Sequence, residues 1–124
     1  MASNRRTAPA EVRLQIISCL QGEMFRIYPD GQRFIDNEGF TANGIIEDLI
    51  EEIEQFEIFV LPPQSPNGKT KYDYVIRYFE PDLLVYVKMF PTDSDPPMVW
   101  LTFHKHNIPG GPLPLIPIEE PDEN

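Results

Sequence analysis

A chain of 124 residues, 41% hydrophobic and 11% aromatic, is long enough for one hydrophobic core and too short for two ordinary domains. Its single cysteine, Cys19, excludes an internal disulfide framework, and no apolar run approaches the roughly 20 residues that span a bilayer. The net charge of −10 weighs against nucleic-acid binding when taken over the whole chain. The charge is unevenly spread, however: residues 41–68 carry six acids and no base, the segment after 106 carries four acids, and residues 1–40 and 69–106 each balance five cations against five acids.

The first ten residues contain Arg5 and Arg6 but no apolar stretch behind them, so no signal peptide is expected and the location is expected to be cytoplasmic, away from membranes. Residues 1–6 are expected to be disordered. Thr7 can cap a helix over 8–21 that tolerates Pro9 in its first turn, with Val12, Ile16, Cys19 and Leu20 at helical spacing and Gly22 as its stop. Pro29-Asp30-Gly31 carries the chemistry of a tight turn, so Phe25–Tyr28 and Gln32–Ile35 read as a short hairpin. Asn37-Glu38-Gly39 reads as a loop. Ile45, Ile46, Leu49, Ile50 and Ile53 then mark the buried stripe of a second helix capped by Thr41 or Asn43. Its other face, Glu47, Asp48, Glu51, Glu52 and Glu54, is read as solvated.

Four strands follow: Phe56–Leu61, Lys71–Phe79, Leu83–Phe90 and Met98–His104, the last three forming an antiparallel meander. The expected fold is therefore α+β, with two N-terminal helices packed on one face of a three- to four-stranded antiparallel sheet. The domain is expected to occupy residues 1–106. From Asn107 to Asn124 proline, glycine and acids dominate, so this part reads as an extended tail, free or pinned through Leu113, Leu115, Ile116 and Ile118.

Placing Pro81 and Asp82 at the centre of the turn sets Arg77 opposite Tyr86 and Val75 opposite Lys88. Leu83, Val85, Val87 and Met89 then share the helix-covered face with Val99, Leu101 and Phe103. The other face collects Arg77, Tyr86, Lys88, Thr102 and His104, with Trp100 nearby. That polar set is either the solvent face of a half-covered sheet or a site.

No phosphate loop, dinucleotide fingerprint, nucleophile elbow or Cys/His zinc spacing is present. His104 and His106 share a strand face, but no third ligand accompanies them, so neither a metal nor a cofactor is expected.

The order of elements and several segments, namely Val12-Arg13-Leu14, Phe34–Phe40, Leu84-Val-Tyr-Val-Lys88 and Trp100-Leu-Thr-Phe-His104, resemble the MqsR-like group of RelE-type toxins over about residues 12–106. Tyr86 and Lys88 match that family's Tyr-x-Lys, and Thr102-Phe103-His104 its closing Ser-Phe-Lys or Ser-Phe-His; Arg77 falls near polar positions of the preceding strand. The family's lysine on the strand after the second helix has no counterpart in Phe56–Leu61. The resemblance implies a RelE-like fold and a metal-independent endoribonuclease acting on mRNA, held by a cognate antitoxin. His104, Tyr86, Lys88 and Arg77 would then be catalytic, and Thr102, Trp100 and Lys105 would bind substrate, with Trp100 stacking a base or belonging to the core. The alternative from charge alone is a non-enzymatic acidic protein, an inhibitor or nucleic-acid mimic presenting the 47–57 acids to a basic protein partner.

Overall fold

The computed structural model describes residues 5–80, 82–107 and 111–119. Among these described residues the fold is α+β, with three helices and a five-stranded mixed sheet in the order β1-β5-β4-β3-β2. The elements run α1 (Ala10–Gln21), β1 (Phe25–Ile27), α2 (Pro29–Asn37), α3 (Ala42–Gln55), β2 (Phe59–Leu61), β3 (Lys71–Phe79), β4 (Asp82–Pro91) and β5 (Val99–Lys105). All strand pairings are antiparallel except β1 with β5, which is parallel. No helix among the described residues is long and apolar enough to cross a membrane.

Two expectations are corrected here. The Pro29-Asp30-Gly31 segment opens a helix instead of turning a hairpin. Pro29 is tolerated in a first turn, where its missing N–H costs nothing, and Gly31 and Ile35 lie one turn apart on the face of α2 that is buried. Gly31 suits the close approach there: a Cβ would come within 3.1 Å of the Phe103 nitrogen and of Ile27 Cγ2. The segment before it, expected to pair with Gln32–Ile35, instead becomes β1 and pairs with β5, so the sheet gains a parallel edge strand. Asn37-Glu38-Gly39 closes α2 with paired main-chain bonds, Phe40 N–H to Ile35 O and Gly39 N–H to Asp36 O, with Gly39 at φ 79°.

At the N-terminus, α1 begins after Pro9 without a side-chain cap, and Thr7 instead forms an antiparallel bridge to Phe59. Arg6 O accepts from Val60 N–H, and Ala8 N–H donates to Ile58 O, so residues 5–8 lie along the outer edge of β2. Of the segment expected to be disordered, residues 1–4 lie outside the described residues. Thr41 caps α3 as expected, its Oγ1 accepting from Gly44 N–H at 3.0 Å.

The main core lies between the helices and one sheet face, where Ile16, Leu20, Ile35, Ile45, Leu49 and Ile53 meet Tyr74, Val85, Val87, Met89, Leu101 and Phe103. Arg13 is buried within it and donates from Nη1 to the Ile53 carbonyl at 2.9 Å, meeting an otherwise orphaned acceptor at the end of α3. A smaller cluster, Phe59, Val75 and Leu113 with Leu84 and Tyr86, sits on the opposite face. The proline-rich segment is thus pinned where it is described: Glu57 N–H donates to Ile116 O, Ile118 N–H donates to Gln55 O, and Phe56 bridges Pro117. Pairing with this segment takes up the first half of the expected Phe56–Leu61 strand.

Candidate functional site

Phe79 pairs with Asp82, so every β3 partner of a β4 residue lies two positions earlier than the turn chemistry implied. A slip of two preserves side-chain parity. The odd residues of β4 and β5 therefore face the helices as expected, and Tyr86, Lys88, Trp100, Thr102 and His104 share the face the helices leave open. The slip changes neighbours, however. Lys88 stands opposite Asp73 and Thr102, Tyr86 opposite Val75 and His104, and Arg77 opposite Leu84.

Asp73, which sequence reasoning did not single out, organises this face. Its carboxylate is 0% exposed. It accepts from Arg5 Nη2 at 2.7 Å on Oδ1 and 2.8 Å on Oδ2, and from the Tyr86 hydroxyl at 2.7 Å. Burial, and then the hydrogen bond and charge of Asp73, push the Tyr86 phenol well above its ordinary range, so at neutral pH it is held as a neutral donor.

Around this buried pair the open face is basic and aromatic. Lys88 Nζ lies 5.9 Å from the Tyr86 ring centroid and Lys71 Nζ 5.2 Å from that of Phe90. Neither lysine has a carboxylate within ion-pair distance among the described residues. Tyr28, from the β1–α2 junction, packs its ring 4.9 Å from Trp100 and 5.5 Å from Phe90, and Arg26 stands opposite Trp100 on the same face. Two clefts open side by side. One, of about 310 Å³, is lined by Tyr28, Phe90, Trp100, Lys69 and Lys71. The other, of about 430 Å³, is lined by Arg5, Gln64, Lys71, Tyr86 and Lys88.

The expected site residues divide into two groups. Tyr86, Lys88, Trp100, Thr102 and His104 come together. His104 is exposed as the cross-strand partner of Tyr86, and among the described residues its imidazole forms no hydrogen bond or ion pair. Thr102 Oγ1 is buried and has no hydrogen-bond partner among the described residues. Arg77 and Lys105 stand apart. Arg77 donates from Nη2 to the Leu113 carbonyl at 3.1 Å and is engaged by the C-terminal segment. Lys105 pairs with Val85, which gives it the parity of the helix-covered side. His106 lies 6.1 Å, ring to ring, from Tyr86 and hydrogen-bonds through Nε2 with Gly111 O at 3.1 Å. Among the described residues no three His, Cys, Asp or Glu side chains gather as metal ligands would.

The residues of this face that the sequence did not single out as candidates, Arg5, Tyr28, Lys71, Asp73 and Phe90, have one available signal. A lone acid inside the strand Lys71–Phe79, flanked by tyrosines, requires a cation. Comparison with family models, with curated proteins and with solved structures gives no match to this chain.

Proposed function

We propose that the open face of the sheet binds single-stranded RNA and that the protein acts there as an endoribonuclease of the MqsR/RelE type. The observation carrying this reading is the meeting of Tyr28, Phe90 and Trp100 with Lys71, Lys88, Arg26 and His104 on one face of an otherwise acidic chain. Rings that can stack bases, interleaved with cations that can meet phosphates, are what a single-stranded nucleic acid requires of a surface. The surplus acids lie elsewhere. Asp73 is neutralised by Arg5, and the acids of α3 belong to the helix layer.

In the transesterification this reading entails, the RNA 2′-oxygen bonds to phosphorus as the bond to the leaving 5′-oxygen breaks. The products are a cyclic phosphate and a 5′-hydroxyl. His104, accessible on the open face, takes the 2′-hydroxyl proton. Lys88 offsets the charge developing on phosphorus, and the leaving 5′-oxygen takes its proton from water. Tyr86, committed to Asp73, positions the site and does not serve as base. A cognate antitoxin covering this face is the expected partner.

The test is incubation of purified protein with single-stranded RNA and identification of the product ends. Wild type should yield cyclic-phosphate and 5′-hydroxyl ends, and His104→Ala should lose about a hundredfold or more in rate, the usual worth of an acid–base group. Equal cleavage by both proteins would remove His104 from the chemistry.

One observation favours a second reading. Asp48 and Glu52 accept hydrogen bonds from Tyr78 and Tyr74, whereas Glu47, Glu51 and Glu54 stay exposed and without ion pairs among the described residues. A basic protein partner would dock there, and charge reversal at those three residues would abolish its binding while sparing RNA binding.

A further inference from the structure

The larger of the two clefts contains more charge than the local fold consumes. Arg5, Lys71 and Lys88 all line it. Among the described residues the one acid paired with these cations, Asp73, already accepts from Arg5 on both oxygens and from Tyr86 on one. Three cations against one saturated carboxylate leave two positive charges facing a concave space of about 430 Å³. Gln64, Leu61, Pro62 and the Tyr86 ring complete its wall, and Gln64 offers a second kind of donor beside the ammonium groups. The feature is built, not incidental: Arg5 is fixed by a buried acid, which costs conformational freedom that an exposed arginine would keep. Lys71 and Lys88 flank Asp73 on the same face, Lys88 as its cross-strand partner and Lys71 two residues before it in β3. Paired cations without carboxylate partners, beside a fixed guanidinium, form a recognition set for a doubly charged oxyanion.

From this we infer that the Arg5–Lys71–Lys88 cleft is a phosphate-binding site, and that Lys71, which also lines the aromatic cleft, couples it to a neighbouring base position. The ligand class is a phosphate ester or a condensed phosphate. Where the RNA reading of this face holds, on which the second half of the inference rests, the phosphate belongs to the strand whose adjacent base stacks beside Tyr28, Phe90 and Trp100. The strand then runs from the aromatic cleft across Lys71 toward Lys88 and His104, which brings a backbone phosphate to the exposed imidazole opposite Tyr86.

The experiment has two arms on the full chain. In the first, inorganic pyrophosphate is titrated into wild type and into Lys71→Ala/Lys88→Ala, followed by amide and side-chain NMR shifts. Saturable shifts confined to Arg5, Lys71, Tyr86 and Lys88, weakened about tenfold or more in the double variant, are expected for two lost charge-assisted contacts. In the second arm, a labelled single-stranded RNA is bound at several salt concentrations by wild type, the double variant and Lys105→Ala. The log–log salt slope should fall by about 1.4 in the double variant, at about 0.7 per phosphate contact, and stay unchanged in Lys105→Ala. Both lysines are half-buried, and circular dichroism checks that the double variant folds. Pyrophosphate shifts spread over the surface, or unaffected by the double substitution, would overturn the phosphate site. RNA binding with an unchanged slope would overturn its coupling to the strand while leaving the RNA reading in place. Pyrophosphate binding with no RNA binding at all would keep the site, assign it to a free phosphate compound and overturn the coupling.

Discussion

Asp73 is the interior acid of β3, at 0% exposure, and two side chains from distant parts of the chain converge on it: Arg5, 68 residues away, and Tyr86. An uncompensated buried charge is far costlier than a missing contact. Arg5→Ala should therefore lower stability by about 3 kcal/mol, and Tyr86→Phe, which leaves the arginine in place, by about 1.5 kcal/mol, both measured by urea unfolding. If both variants cost the same, Arg5 is not the counter-ion the structure assigns. The acid itself is visible in the sequence, set between Tyr72 and Tyr74. Its partner is not, because nothing local to Arg5 distinguishes it from Arg6, and only the pairing of residues 6–8 with β2 brings it to the carboxylate. A second residue-scale effect was hidden in the same way. Gly22 marks the end of α1, as its sequence indicates, but the left-handed position after it is taken by Glu23 at φ 59°, with Met24 N–H donating to Cys19 O. A non-glycine residue pays a steric cost there, so Glu23→Gly should raise stability by about 0.5–1 kcal/mol in the same assay.

At the scale of elements, α3 and β3 are joined by polar contacts that a pattern of charges alone would assign to solvent. Tyr78 donates to Asp48 at 2.6 Å and Tyr74 to Glu52 at 3.2 Å. Burial first, and then these acids, raise both phenols above their ordinary range, as burial and Asp73 do for Tyr86. A folded-state pKa above the unfolded value of about 10 contributes stability that is fully present below pH 10 and is lost as pH rises beyond it. Unfolding free energy should accordingly decline above about pH 10, with tyrosinate absorbance from these phenols appearing together with unfolding. Tyr78→Phe should make the decline shallower; an unaltered profile would contradict the contact with Asp48. The strands β3 and β4 and the helix α3 were legible because their apolar pattern extends over nine residues or more. The shorter α2 was not, because its buried face consists of Gly31 and Ile35 and its first turn has the composition of a β-turn. The face assignment survived a register error because the error was even; a slip of one between β3 and β4 would have set Arg77 and Asp73 among the residues that face the helices.

Over the whole molecule, both ends of the described chain lie against β2 or the residues before it. Residues 5–8 follow its edge, and the segment around Leu113 covers Phe59, Val75 and Arg77. What remains open is the half of the sheet surface that carries Trp100, Lys88 and His104. Leu113 is nearly buried, so Leu113→Ala should cost about 2 kcal/mol, at the lower end of the core range because its cluster is small, and should leave Arg77 less restrained. The charge segregation read from the sequence fits this arrangement, with the acids of 41–68 concentrated in and just after α3, in the helix layer, and the balanced segments forming the sheet.

Trp100 is the chain's only tryptophan and belongs to the open face, so its fluorescence reports on the proposed RNA site alone. Titration of wild type with single-stranded RNA should quench or shift that emission saturably, with a midpoint that weakens as salt rises. Emission that stays constant while an independent anisotropy assay shows RNA bound, or an absence of binding at low salt, would contradict the assignment of this face as the functional surface.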